Sequence, residues 1–159
     1  MLGEEALALQ REAGNKLGIA FVLHTLGYVA LHEGDLELSR ARLGESLVLF
    51  KELGDISRIA DNLEGLAHVA AGHGDDRRAV VLWAAGESIR AEAGKEMEPS
   101  EAALHEPALS IARTRMGEPA FALAWVEGAA LSPKDAIAYA LPSETNGCRR
   151  QSADAVSSG

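Results

Sequence analysis

Residues 19–35 read IAFVLHTLGYVALHEGD, and residues 59–75 read IADNLEGLAHVAAGHGD. A shift of 40 residues places Ile19 on Ile59, Ala20 on Ala60, Leu23 on Leu63, Leu26 on Leu66, Val29 on Val69 and Ala30 on Ala70. The same shift lays Gly34-Asp35 on Gly74-Asp75, and Gly14 on Gly54 and then on Gly94. A repeated turn dipeptide inside matched apolar spacing marks an internal repeat. Ile19, Leu23, Leu26, Val29 and Ala30 recur at intervals of three or four, as do Leu36, Leu43, Leu47 and Phe50. That is the period of one helix face. The glycines fall between these runs, where a helix end needs a left-handed residue or a tight turn. Each unit is therefore two antiparallel helices, and the expected fold is an all-α, α-α superhelix of stacked pairs.

The boundaries follow from the same phase. A half unit occupies residues 1–14, because residues 5–14 align with residues 45–54 and so begin in the second helix of a pair. Full units cover about 15–54 and 55–94. A third, degenerate unit spans 95–131, with Pro99-Ser100-Glu101 opening one helix and Gly117-Glu118-Pro119 turning into the next. Ser132-Pro133 and Asp135 then give an N-cap, a first-turn proline and an early acid. They open a short capping helix over 132–141. Residues 142–159 lose all periodicity and read as a disordered tail. A half unit leaves an apolar face uncovered. The reading is thus a C-terminal piece of a longer array, or a chain that pairs through its open N-terminal edge.

Composition narrows the function classes. The 159 residues suffice for one modest core. Aromatic residues make up only 4%, too few for a base-stacking surface or a large aromatic-lined cofactor pocket. A formal charge of −9 argues against this segment gripping phosphate backbones or anionic lipid. Arg77-Arg78 and Arg149-Arg150 are too short to reverse that. The lone Cys148 cannot form an intrachain disulfide, and no signal-peptide pattern opens the chain. A cytoplasmic location is the expectation.

The helix pairs resemble tetratricopeptide repeats. Leu23, Leu26, Gly27 and Ala30 stand at the first-helix signature positions, as do Leu63, Leu66, Ala67 and Ala70. Ser39 with Leu43, and Ala79 with Trp83, stand where that family has its small residue and its aromatic. The longer unit is closer to the MalT-like variant. The stretches SLVLFKELGD, LEGLAHVAAGHGDDRRAVVLWAAGESIR, MGEPAFALAWVEGAALS and DAIAYAL also resemble the C-terminal repeat region of bacterial LuxR-type and adenylate-cyclase-associated STAND ATPase regulators. The resemblance implies a sensor and scaffold segment. It does not carry over ATP or DNA activities, since no Walker A motif, cyclase residues or helix-turn-helix is recognisable in the sequence.

No nucleophile elbow, HExxH, CxxC or phosphate loop occurs, so no enzyme and no cofactor is expected. His24, Tyr28 and His32 lie at i, i+4 and i+8 on one first helix, and Asp61, Glu64 and His68 lie on the next. Two histidines and a carboxylate from this set could hold a metal. The plainer reading is a polar groove against solvent or peptide. Trp83 and Trp125 read as core. The expected function is a non-enzymatic protein- or peptide-binding module, its groove formed by Phe21, His24, Thr25, Tyr28, Asp61, Glu64 and His68. A self-associating module, or a remnant of a truncated regulator without activity of its own, is the alternative.

Overall fold

Gly14, Gly34, Gly54, Gly74 and Gly94 adopt φ of 66°, 81°, 71°, 81° and 67°, so a left-handed residue recurs every 20 positions. After each of the first four comes a side chain that caps the next helix. Asn15, Asp35, Asp55 and Asp75 accept from the backbone N–H of Gly18, Leu38, Arg58 and Arg78, each at 3.1 Å. Glycine ends one helix where a Cβ would be strained, and the next residue starts another by satisfying an orphan N–H. This is the physical content of the repeated Gly-Asp.

The computed structural model describes residues 2–141, which fold entirely as helices, with no strand among the described residues. They are α1 (Leu2–Glu12), α2 (Lys16–His32), α3 (Leu36–Leu53), α4 (Ile56–Gly72), α5 (Asp76–Glu92), α6 (Pro99–Met116), α7 (Glu118–Ala129) and α8 (Pro133–Ala140). The tail expected over 142–159, with Cys148, lies outside the described residues. Among the described residues, no helix is long and apolar enough to cross a membrane.

Two hairpins, α2–α3 and α4–α5, stack through α3 on α4, while α1 lies on α2. Small residues bring these helices close. Ser39 and Ser46 on α3 donate to the α2 carbonyls of Gly27 and Ala20, both at 2.8 Å. A Cβ on Gly27 would lie 2.6 Å from Leu43. The core between the hairpins holds Leu23, Leu43, Leu47, Phe50, Leu63, Val80 and Trp83, all fully buried. Each such aliphatic side chain is worth about 1.5–3 kcal/mol relative to exposure.

The third pair departs from that geometry. The chain leaves the 20-residue phase after Gly94, and α6 begins only at Pro99. Helix α7 packs chiefly on α5, while α6 rests lightly on α5 and α7 and reaches α4 along one edge. The close α5–α7 contact is made at Gly128, against the Val81 carbonyl and the Ala84 methyl. Helix α8 turns back onto α4 and α5, where Arg78 donates to the carbonyls of Tyr139 and Ala140 at 2.9 and 3.0 Å. Covered by α3, α5, α6 and α8, α4 is buried at every residue but one from Ile59 to Ala70, the exception being Asp61.

Candidate functional site: the face of α2 and α4 beneath α6

Helical spacing puts Phe21, His24, Thr25 and Tyr28 along α2, and Asp61, Glu64 and His68 along α4. The two sets meet. Tyr28 donates its hydroxyl to the Asp61 carbonyl at 3.0 Å, and His24 Nδ1 lies 3.3 Å from Asn62 Oδ1. The structure also shows what covers them. Helix α6 brings Glu101 to 4.0 Å from His24 Nε2. It places the His105 ring 6.2 Å from His68 and 5.5 Å from Trp83, with edge-on geometry. His24, Glu64 and His68 are buried, whereas Phe21 and Thr25 stay exposed on the outer flank, toward α1.

The most charged part of this face is a network that the repeat pattern does not announce. Arg90 of α5 donates through both terminal nitrogens to Glu64 and reaches Asp61 at 3.0 Å. Arg58 closes on the other Asp61 oxygen at 3.2 Å. Burial works against the Arg90 charge, but its bonds to Glu64 and Asp61 outweigh that and hold the guanidinium firmly protonated. Burial pushes the Glu64 carboxyl up to about 7, with the Arg90 bonds pulling the other way. Glu101 is raised by burial and then by the charge of Asp61. Burial also lifts the Tyr28 hydroxyl well above its ordinary value. Two cavities, a polar one of 280 Å³ and a mainly apolar one of 270 Å³, flank Glu101 on either side of the first turns of α6.

The histidines here are held neutral. Burial lowers His24 and His105, with Asn62 and Glu106 respectively opposing. His68 is driven down to about 4 by burial and then by the charges of His105 and His32. Below its ordinary value of 6.5, His68 takes up protons more readily in the unfolded chain than in the folded one. Its contribution to stability is therefore complete above about pH 6.5 and drains away as pH falls toward 4. The loss from this residue reaches roughly 2 kcal/mol by pH 5. Urea unfolding at pH 7 and pH 5 tests this: a His68→Leu variant should lose markedly less stability between the two than the parent. Equal losses would refute it.

Among the described residues, no group of three His, Cys, Asp or Glu could hold a metal ion. His32, part of the metal set considered from sequence, is exposed. Trp83 is fully buried against His68, and Trp125 is half-buried and stacked on Phe121 at 5.8 Å. Arg90, Arg58, Glu101 and His105 were not legible as parts of this site. Arg90 did leave a trace: with Ala79, Trp83 and Gly86 it follows the three-to-four spacing of the buried face of α5. A lone arginine on such a stripe calls for a buried acid.

The chain is similar to two mycobacterial proteins, from Mycobacterium tuberculosis and Mycobacterium bovis, each named "Putative HTH-type transcriptional regulator". Each is 33% identical over 112 residues, covering 70% of this chain. The match spans only 13% of either relative's length. No family model matches the chain, and no solved structure matches it. These comparisons are compatible with a regulator-related helical segment.

Proposed function

We propose that residues 2–141 are a non-enzymatic scaffold or sensor segment of a signal-responsive bacterial transcriptional regulator, which binds a protein partner through the face of α2 and α4. The reading takes the helix pairs as tetratricopeptide-like units of the MalT-like kind, working in the cytoplasm. The observation that carries it is α6 itself: this face already holds a helix, supplied in cis. Of the 18 residues of α6 only His105 and Ala112 are buried, and cavities remain on both sides of Glu101. A helix held by so little can be exchanged for another. The similarity to transcriptional regulators supports the regulatory part of this reading.

A fluorescein-labelled peptide of residues 98–116 tests the exchange. It should bind the whole chain saturably, and more tightly to a chain whose Glu101→Ala and Leu104→Ala changes loosen α6 in cis. Val29→Arg, on the exposed rim of the face, should weaken it. No binding, or binding indifferent to Val29→Arg, would overturn the proposal. Glu64 and His68 are unsuitable probes, because both are buried in the packing of α4.

A further inference from the structure

The repeat specifies what belongs against the outer flank of α1. A cleft of 230 Å³ lies between α1 and α2, lined by Gly3, Ala6, Phe21, Val22, Thr25 and Leu26. Advanced by 40 residues, these positions become Leu43, Ser46, Asp61, Asn62, Gly65 and Leu66. In that second setting the cleft is filled, and α2 fills it. Leu43 packs on Gly27, Ser46 bonds the Ala20 carbonyl, and the Asp61 carbonyl accepts from Tyr28. Asn62 faces His24, and Gly65 lies against the Tyr28 ring. Leu43, Ser46 and Asn62 are wholly buried there. One repeat earlier Phe21 is 37% exposed, and on α1 Leu2 and Leu9, which share a helical face with Ala6, are 83% and 64% exposed.

We propose that this cleft is the docking site for an amphipathic helix from outside this chain, seated as α2 is seated on α3 and α4. The argument is continuity with an interface the molecule already contains, and it rests on the reading of the chain as a helical-repeat interaction segment. The lining also sets the partner's chemistry. Phe21 and Val22 stand where Asp61 and Asn62 meet Tyr28 and His24, so the incoming helix carries apolar side chains at those two positions. Gly3 stands where Leu43 presses on Gly27, and Leu26 closes against Gly3, where a Cβ would come within 2.4 Å. The partner therefore needs no glycine at its crossing point. Its signature is an apolar stripe at i, i+4, i+7 and i+8, the spacing of Ala20, His24, Gly27 and Tyr28.

The probe is a synthetic peptide copying residues 15–34 with His24→Leu, Gly27→Ala and Tyr28→Leu, titrated into the whole chain by calorimetry. One-to-one saturable binding is expected, weakened at least tenfold by Ala6→Lys and by Phe21→Gln. Both variants should retain the parent's circular dichroism, and either one suffices if the other misfolds. Absence of binding, or binding that neither variant weakens, would overturn the proposal. So would concentration-dependent self-association lost in Ala6→Lys, which would give the cleft to a second copy. Glu101→Ala with Leu104→Ala should leave this titration unchanged, so its outcome and that of the α6 peptide are read independently.

Discussion

Replacing Arg90 with alanine is expected to destabilise the protein by roughly 3–5 kcal/mol, the cost of breaking a buried ion pair from one side. Glu64 is 2% exposed, and Arg90 supplies both of the guanidinium contacts that compensate its charge. Asp61 suffers less, because Arg58 remains on its second oxygen. The deficit should grow above about pH 7, where Glu64 of the parent is ionised and paired while the stranded carboxyl, raised further by the loss of Arg90, must hold its proton or ionise unpaired. It should narrow in mild acid, where that carboxyl takes up a proton. Removing both partners is a different experiment. Glu64→Leu with Arg90→Leu should recover most of the loss, since two buried charges replaced by apolar side chains of similar size are often neutral or better. Urea midpoints of the three variants at pH 8 and pH 6 decide the matter. An Arg90→Ala chain within 1 kcal/mol of the parent, on the scale of an exposed pair, would show that the network is not closed to water.

The second large effect concerns the crossing of α5 and α7. A Cβ added to Gly128 would come 2.2 Å from the Val81 carbonyl oxygen and 2.9 Å from the Ala84 methyl. The first of these atoms is backbone and cannot swing aside. Gly128→Val should therefore lift α7 off α5 and uncover Ala124 and Phe121, at a cost at or above the roughly 3 kcal/mol upper end of ordinary overpacking. Gly44 in α3 is the control, because a Cβ there meets only Leu141, at 3.6 Å. Gly44→Ala should stabilise by about 0.5–1 kcal/mol through its better helix propensity. Thermal melts showing similar effects for the two substitutions would contradict the crossing described for Gly128.

Much of the fold could be read from local chemistry. The turn glycines and the Asn and Asp caps mark the helix ends directly, because a positive φ and an orphan N–H each demand particular residues. The hairpins α2–α3 and α4–α5 follow from helical periodicity on either side of those turns. Helix α6 was legible as a helix, from Pro99 at its start to Gly117 at its end. Its path over α4 was not. That path follows the linker between Gly94 and Pro99, and the seat of α7 on α5 rests on a long-range contact at Gly128; neither leaves a periodic signal. The site was legible in the same uneven way. Tyr28, Asp61, Glu64 and His68 share faces fixed by spacing, but Arg90, Glu101 and His105 reach them from α5 and α6, and only tertiary packing brings those helices near.

The five left-handed glycines have a consequence for how such a chain can change length. With a stop every 20 residues, a gain or loss of 40 returns every later helix to the same face and every cap to the same neighbour. An insertion of any other size inside the array rotates the later helices out of phase, as the departure of α6 after Gly94 shows on a small scale. Chains of this design should vary among themselves in whole quanta of two helices.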